Sequence, residues 1–173
     1  NYGYQGLFGI LFLIIYSYIS NFFFAHNLLH NSILVLVGLA SSIYFAYKKF
    51  FVQDKIVVFI IVFSVLFLSF LIYKPHDDFS YYHFQYSYYL TQFPLLIGIG
   101  QFNHGFSTPS SIFYLNSLFY LPHVKYALFN ISTLFVFGFS SLIIIEKLFT
   151  FIKKNKPNFS TFFLLFSIAF IVI

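Results

Sequence analysis

Acidic side chains are scarce in this chain, four in 173 residues, and two of them, Asp77 and Asp78, are adjacent. A carboxylate fixed at a membrane surface can act as a general base toward a hydroxyl or help to hold a divalent cation. Four histidines, His76, His83, His104 and His123, fall in the same 74–125 stretch. With the aspartates they would offer a divalent metal a mixed nitrogen and oxygen ligand set. Their spacing matches no strong metal motif such as HExxH, so the metal is unknown. Between them runs a tyrosine-dense segment with Tyr81, Tyr82, Tyr86, Tyr88 and Tyr89. Those rings could stack on sugars, or form the aromatic belt found where a membrane meets water. The candidate site is therefore Asp77 and Asp78 as catalytic carboxylates, with His76, His83, Tyr81, Tyr82 and His104 as substrate-binding residues.

Other polar features have plainer readings. Asp78 suits the N-cap of a helix, since its side chain can accept from backbone N–H groups one turn on and Pro75 keeps the preceding chain extended. His26 and His30 lie in a short polar connector and read as interfacial groups. Gly98-Ile99-Gly100 lacks the third glycine of a dinucleotide fingerprint. Asn130-Ile131-Ser132 and Asn158-Phe159-Ser160 match the glycosylation pattern by chance, one within an apolar run and the other in a lysine-rich connector. Glu146, beside Lys147, reads as an interfacial charge.

The elements that must hold these residues are apolar. Hydrophobic residues make up 60% of the chain and charged residues 8%, against about 25% charged in ordinary soluble domains. A soluble domain this short cannot hide so much apolar surface. There is no Cys, so neither disulfide nor thiol chemistry is available. The net charge of +5 comes from lysines between apolar runs, which is a topology signal and not a nucleic-acid surface. The absence of Met, and an apolar run at the last residue, are expected of a fragment of a longer chain.

Runs at 6–24, 32–47, 56–73, 127–145 and 159–173 are each expected to span a bilayer, whose hydrocarbon core needs about 20 apolar residues. The cleanest, 56–73, is uncharged and would be about 27 Å long as a helix. The fold class expected is all-α, a polytopic transmembrane helical bundle with an outer loop region over 74–125. Within that region Phe79–Gln92 is expected to form a helix lying in the interface. Phe79, His83, Tyr86 and Leu90 would share one face, and Pro94 would end it. Lysines cluster at 48–55 and 146–158 and thin out over 74–125. Positive-inside ordering then puts both clusters in the cytoplasm and the 74–125 region outside. That predicts an integral, multi-pass protein, in the cytoplasmic (inner) membrane if the source is bacterial.

The segment HDDFSYYHFQYSYYLTQ, followed by LLIGIGQFNHGFSTPSSIFYLNSLFYLP, resembles the acidic outer loop of bacterial GT-C type membrane glycosyltransferases. It is most similar to large multi-spanning proteins of that kind that handle surface polysaccharides. The resemblance implies a polyprenyl-phosphate sugar donor, a glycan or lipid acceptor, and an acidic residue acting on the acceptor hydroxyl, here Asp77 or Asp78. It covers residues 56–146. The acidic loop follows the third apolar run and not the first, and the chain has no Arg to grip a lipid phosphate. The alternative expectation is a transporter or flippase for lipid-linked glycans, or a polysaccharide polymerase. No nucleic acid is expected as a partner.

Overall fold

A computed structural model describes residues 2–48, 53–72, 77–95, 97–107, 110–154 and 163. These residues are mostly helical, with one isolated β-bridge between Leu121 and Lys125. Six α-helices follow in order: α1 (Tyr2–Phe23), α2 (Leu28–Tyr47), α3 (Gln53–Leu71), α4 (Phe84–Gln92), α5 (Ser111–Ser117) and α6 (Ile131–Lys154). Three stretches, Tyr2–Phe23, Leu28–Tyr47 and Tyr126–Phe151, are long and apolar enough to cross a membrane, and Ile56–Leu71 is a shorter apolar helix. At 22 residues, α1 is about 33 Å long, close to the hydrocarbon thickness of about 30 Å. The run expected at 159–173 lies outside the described residues, Phe163 excepted.

Helices α1 and α6 pack antiparallel. Gly3 of α1 faces α6 so closely that a Cβ there would meet the Phe139 carbonyl oxygen at 2.6 Å, and one at Gly6 would overlap the Phe139 ring. Such small residues let two apolar helices approach when lipid supplies no hydrophobic drive between them. Phe59 and Phe63 of α3 pack tilted or edge-on against Phe139 and Phe135 of α6. Every residue of α2 from Val35 onward is exposed, so α2 meets the rest only through its first turns.

The last turns of α1 and α3 and the first turn of α6 share one end of the assembly. There they carry an outer layer made of α4, α5 and the turns around them. Its apolar core is Tyr86 and Leu90 of α4, Phe113 and Tyr114 of α5, and Phe106. A second cluster, Ile10 with Leu115 and Leu118, joins this layer to α1.

Candidate functional site

The segment expected to be one interfacial helix is helical throughout, but its register breaks. Residues Phe79–His83 form a π-helical turn that runs into α4, with Phe84 N–H donating to the Phe79 carbonyl. The extra residue in that turn rotates the face it belongs to. Phe79 and His83 consequently line a cleft, while Tyr86 and Leu90, expected on the same face, are buried against α5 and Phe106. Asp78 already has helical dihedrals (φ −68°, ψ −21°) and makes no capping hydrogen bond to the following backbone. The capping role read from the sequence is thereby corrected: Asp77 and Asp78 are both already helical.

The cleft has a volume of about 900 Å³ and lies between the end of α3, the π-turn and the start of α6. Its walls are Leu66, Phe70, Leu71, Phe84, Leu134 and Phe137, with Ser69, His83, Asn130 and Thr133 as polar points among them. Apolar walls with a few polar points suit a ligand that is mostly hydrocarbon. Tyr126 closes one edge. It follows a tight turn in which His123 and Lys125 have positive φ (68° and 46°), a conformation uncommon outside glycine. The Lys125 amide donates to the Leu121 carbonyl at 2.7 Å, which holds that turn.

The candidate residues are spread around this cleft. His83 lines it, with its ring 4.3 Å from Tyr82 and 5.0 Å from Phe113. Asp77 is exposed and Asp78 half-buried; neither is among the cleft residues, although they immediately precede Phe79, which is. Tyr81 is exposed, Tyr82 is half-buried against Phe113, and His104 is exposed. His76 lies outside the described residues. No group of three or more His, Asp or Glu side chains is placed to hold a metal among the described residues.

The sequence reading missed a buried, hydrogen-bonded polar network. His26, taken as interfacial, is wholly buried, as are Asn21 and Asn31. Ser117 Oγ donates to the Tyr114 carbonyl (2.7 Å) and so accepts from His26 Nδ1–H (2.6 Å). His26 Nε2 then accepts from the Ser20 hydroxyl at 2.8 Å. Burial, and the neighbouring His30, push the His26 imidazole down to about 3, so it is neutral. The Asn31 amide N–H₂ reaches the carbonyls of His26 (2.8 Å), Ser117 (2.8 Å) and Tyr120 (3.0 Å). Asn31 Oδ1 accepts from His30 Nδ1, leaving His30 Nε2 to accept from Tyr16. Asn21 reaches the Leu90 carbonyl at 3.0 Å. Ser132 donates to Asn116 Oδ1 and carries the network to the start of α6.

This network ties the α1–α2 connection to α4, α5 and α6 through neutral groups. Its chemistry is structural: each ring nitrogen of His26 is occupied, and the neighbouring Tyr86 and Tyr114 have hydroxyls raised above the ordinary range by burial. The only sequence signal was the pairing of polar types, Ser20-Asn21 and His26 through Asn31, at the mouth of two apolar runs. The chain matches no protein-family model, no curated protein and no solved structure.

Proposed function

We propose that this chain is the membrane part of a multi-pass protein that handles a polyprenyl-phosphate-linked sugar at the outer face of a bacterial inner membrane, in the manner of a GT-C type glycosyltransferase. The observation that carries the reading is the apolar cleft, walled by α3 and α6 and edged by the π-turn that follows Asp77 and Asp78. The lipid chain of the donor would lie against Phe70, Leu134 and Phe137. Lys125, next to the cleft residue Tyr126, would be a cation for the phosphate in place of the missing arginine. Asp77 would take the proton of the acceptor hydroxyl as its oxygen bonds to the anomeric carbon. The bond from that carbon to the phosphate oxygen then breaks, and polyprenyl phosphate departs. The acceptor would be a glycan or a lipid. A divalent metal is not required by this scheme.

Transfer measured in membranes, with protein level checked in parallel, tests the reading. Asp77→Asn is expected to lose about 10²-fold or more in rate, the range for removal of a general base. Thr133→Trp, which narrows the cleft, is expected to raise KM for the lipid-linked donor. Normal transfer by both Asp77→Asn and Asp78→Asn overturns the catalytic role. If the donor still binds and Thr133→Trp abolishes that binding, translocation of the lipid-linked glycan replaces transfer.

A further inference from the structure

After Gln92 the chain leaves α4 through Phe93, Pro94 and Leu95, turns at Gly98, and returns through Phe102. Residues 93–103 carry no charge. Ile97 is 95% exposed and Phe102 is 89% exposed, the barest large apolar side chains among the described residues. They stand on a fixed turn. Gly98 has φ +83°, which only glycine adopts at little cost. Gln101 N–H donates to the Gly98 carbonyl (3.1 Å), Phe102 N–H to that of Ile99 (3.1 Å), and Ser107 Oγ to that of Gly100 (3.3 Å). The turn is joined to α4 through the Tyr89–Phe106 ring contact and the short helical turn at His104–Phe106.

The height of this turn is set by α1. Leu95 N–H donates to the carbonyl of Asn21 at 2.9 Å, in the last turn of α1. That turn ends in Phe22, Phe23 and Phe24, all exposed. Two residues span at most about 7 Å, so Ile97 lies within that distance of Leu95 and close to the level where α1 ends. A helix long enough to cross a bilayer ends at the bilayer's boundary, where aromatic residues concentrate. The bare turn thus continues the apolar rim that α1 already presents there.

We propose that the Ile97–Phe102 turn is a membrane anchor, which seats its two apolar side chains in the headgroup–acyl boundary beside the end of α1. Its partner is the phospholipid surface itself. The uncharged sequence suits that medium, and Gln101 and Asn103 sit where polar headgroups and water remain within reach. The anchor would hold α4 and α5 at a fixed height over the spans. It rests on α1 crossing the membrane and is independent of glycosyl transfer.

The chain contains no Trp, so a single introduced Trp is an unambiguous reporter. Ile97→Trp, Phe102→Trp and, on the exposed face of the first half of α1 about 9 Å from its start, Phe8→Trp would each be made in the full chain. Each would be reconstituted in phosphatidylcholine–phosphatidylglycerol vesicles whose phosphatidylcholine is brominated in the upper acyl chain. Trp at 97 and at 102 is expected to emit at short wavelength and to lose roughly half its emission to the bromines, as for a side chain about 5–10 Å into the boundary. Iodide in the water should leave both unchanged. Emission at long wavelength, quenched by iodide and indifferent to bromine, overturns the anchor, as does indifference to both quenchers, which would place the turn against protein. Phe8→Trp separates the two levels: if it also escapes the bromines, α1 does not cross the bilayer, and the anchor falls with it.

Discussion

Replacing Asn31 with Leu keeps nearly the same volume while removing every hydrogen bond of the side chain. The amide has two N–H donors and serves three carbonyls, those of His26 and Ser117 buried and that of Tyr120 half-buried. Ser117's carbonyl also accepts from Tyr120 N–H at 3.3 Å, so the loss falls mainly on the other two. A buried carbonyl deprived of its donor costs about 1–3 kcal/mol, giving about 2–6 kcal/mol for the pair. His30 Nδ1 loses its acceptor as well, while the added apolar contact returns about 1 kcal/mol. The net expectation is a destabilisation of about 3–4 kcal/mol, a large part of the 5–15 kcal/mol typical of a folded domain. Reversible unfolding in mixed micelles, followed by tyrosine near-ultraviolet circular dichroism, measures it. Ser41→Leu is the control, on the exposed face of α2, where the hydroxyl bonds only to its own helix at Val37. A change below about 1 kcal/mol for Asn31→Leu, similar to the control, would refute the reasoning that this network fastens the outer layer.

Acid should loosen the same joint. His26 is neutral when folded and binds a proton only near 3, against 6.5 when free, so the unfolded state takes up protons first. Stability is then complete above about pH 6.5 and falls as the pH drops toward 3, by at most about 1.4 kcal/mol per pH unit. Unfolding midpoints across that window should slope for the native chain and flatten for His26→Gln; equal slopes would count against the assignment. At the α1–α6 contact, Gly3→Ala is expected to cost about 1–3 kcal/mol, because its methyl must displace the Phe139 backbone. Gly9→Ala, with open space at the methyl position, should be neutral or stabilise the helix by up to about 1 kcal/mol in the same unfolding assay.

Composition and hydrophobic run length determined the helical class. Once 60% of residues are hydrophobic and arranged in runs of about twenty, a helix satisfies its own backbone inside lipid, and few other structures can. The helix over Phe79–Gln92 was legible for the same local reason, an apolar stripe closed by Pro94. What the sequence could not supply was the direction of that stripe. One additional residue in the π-turn sends Phe79 and His83 to the cleft and Tyr86 and Leu90 to the core, and a periodic reading assumes no such insertion. The capping role of Asp78 failed similarly, since a cap depends on dihedrals that residue type only biases. His26 and Asn31 were hidden more completely. Their partners, Ser117 and Tyr120, lie about 90 residues away, and no local pattern distinguishes a polar residue that stays at an interface from one that the outer layer folds over. Burial turned a connector into a joint, because a polar group removed from water must find its hydrogen bonds wherever the tertiary structure brings them.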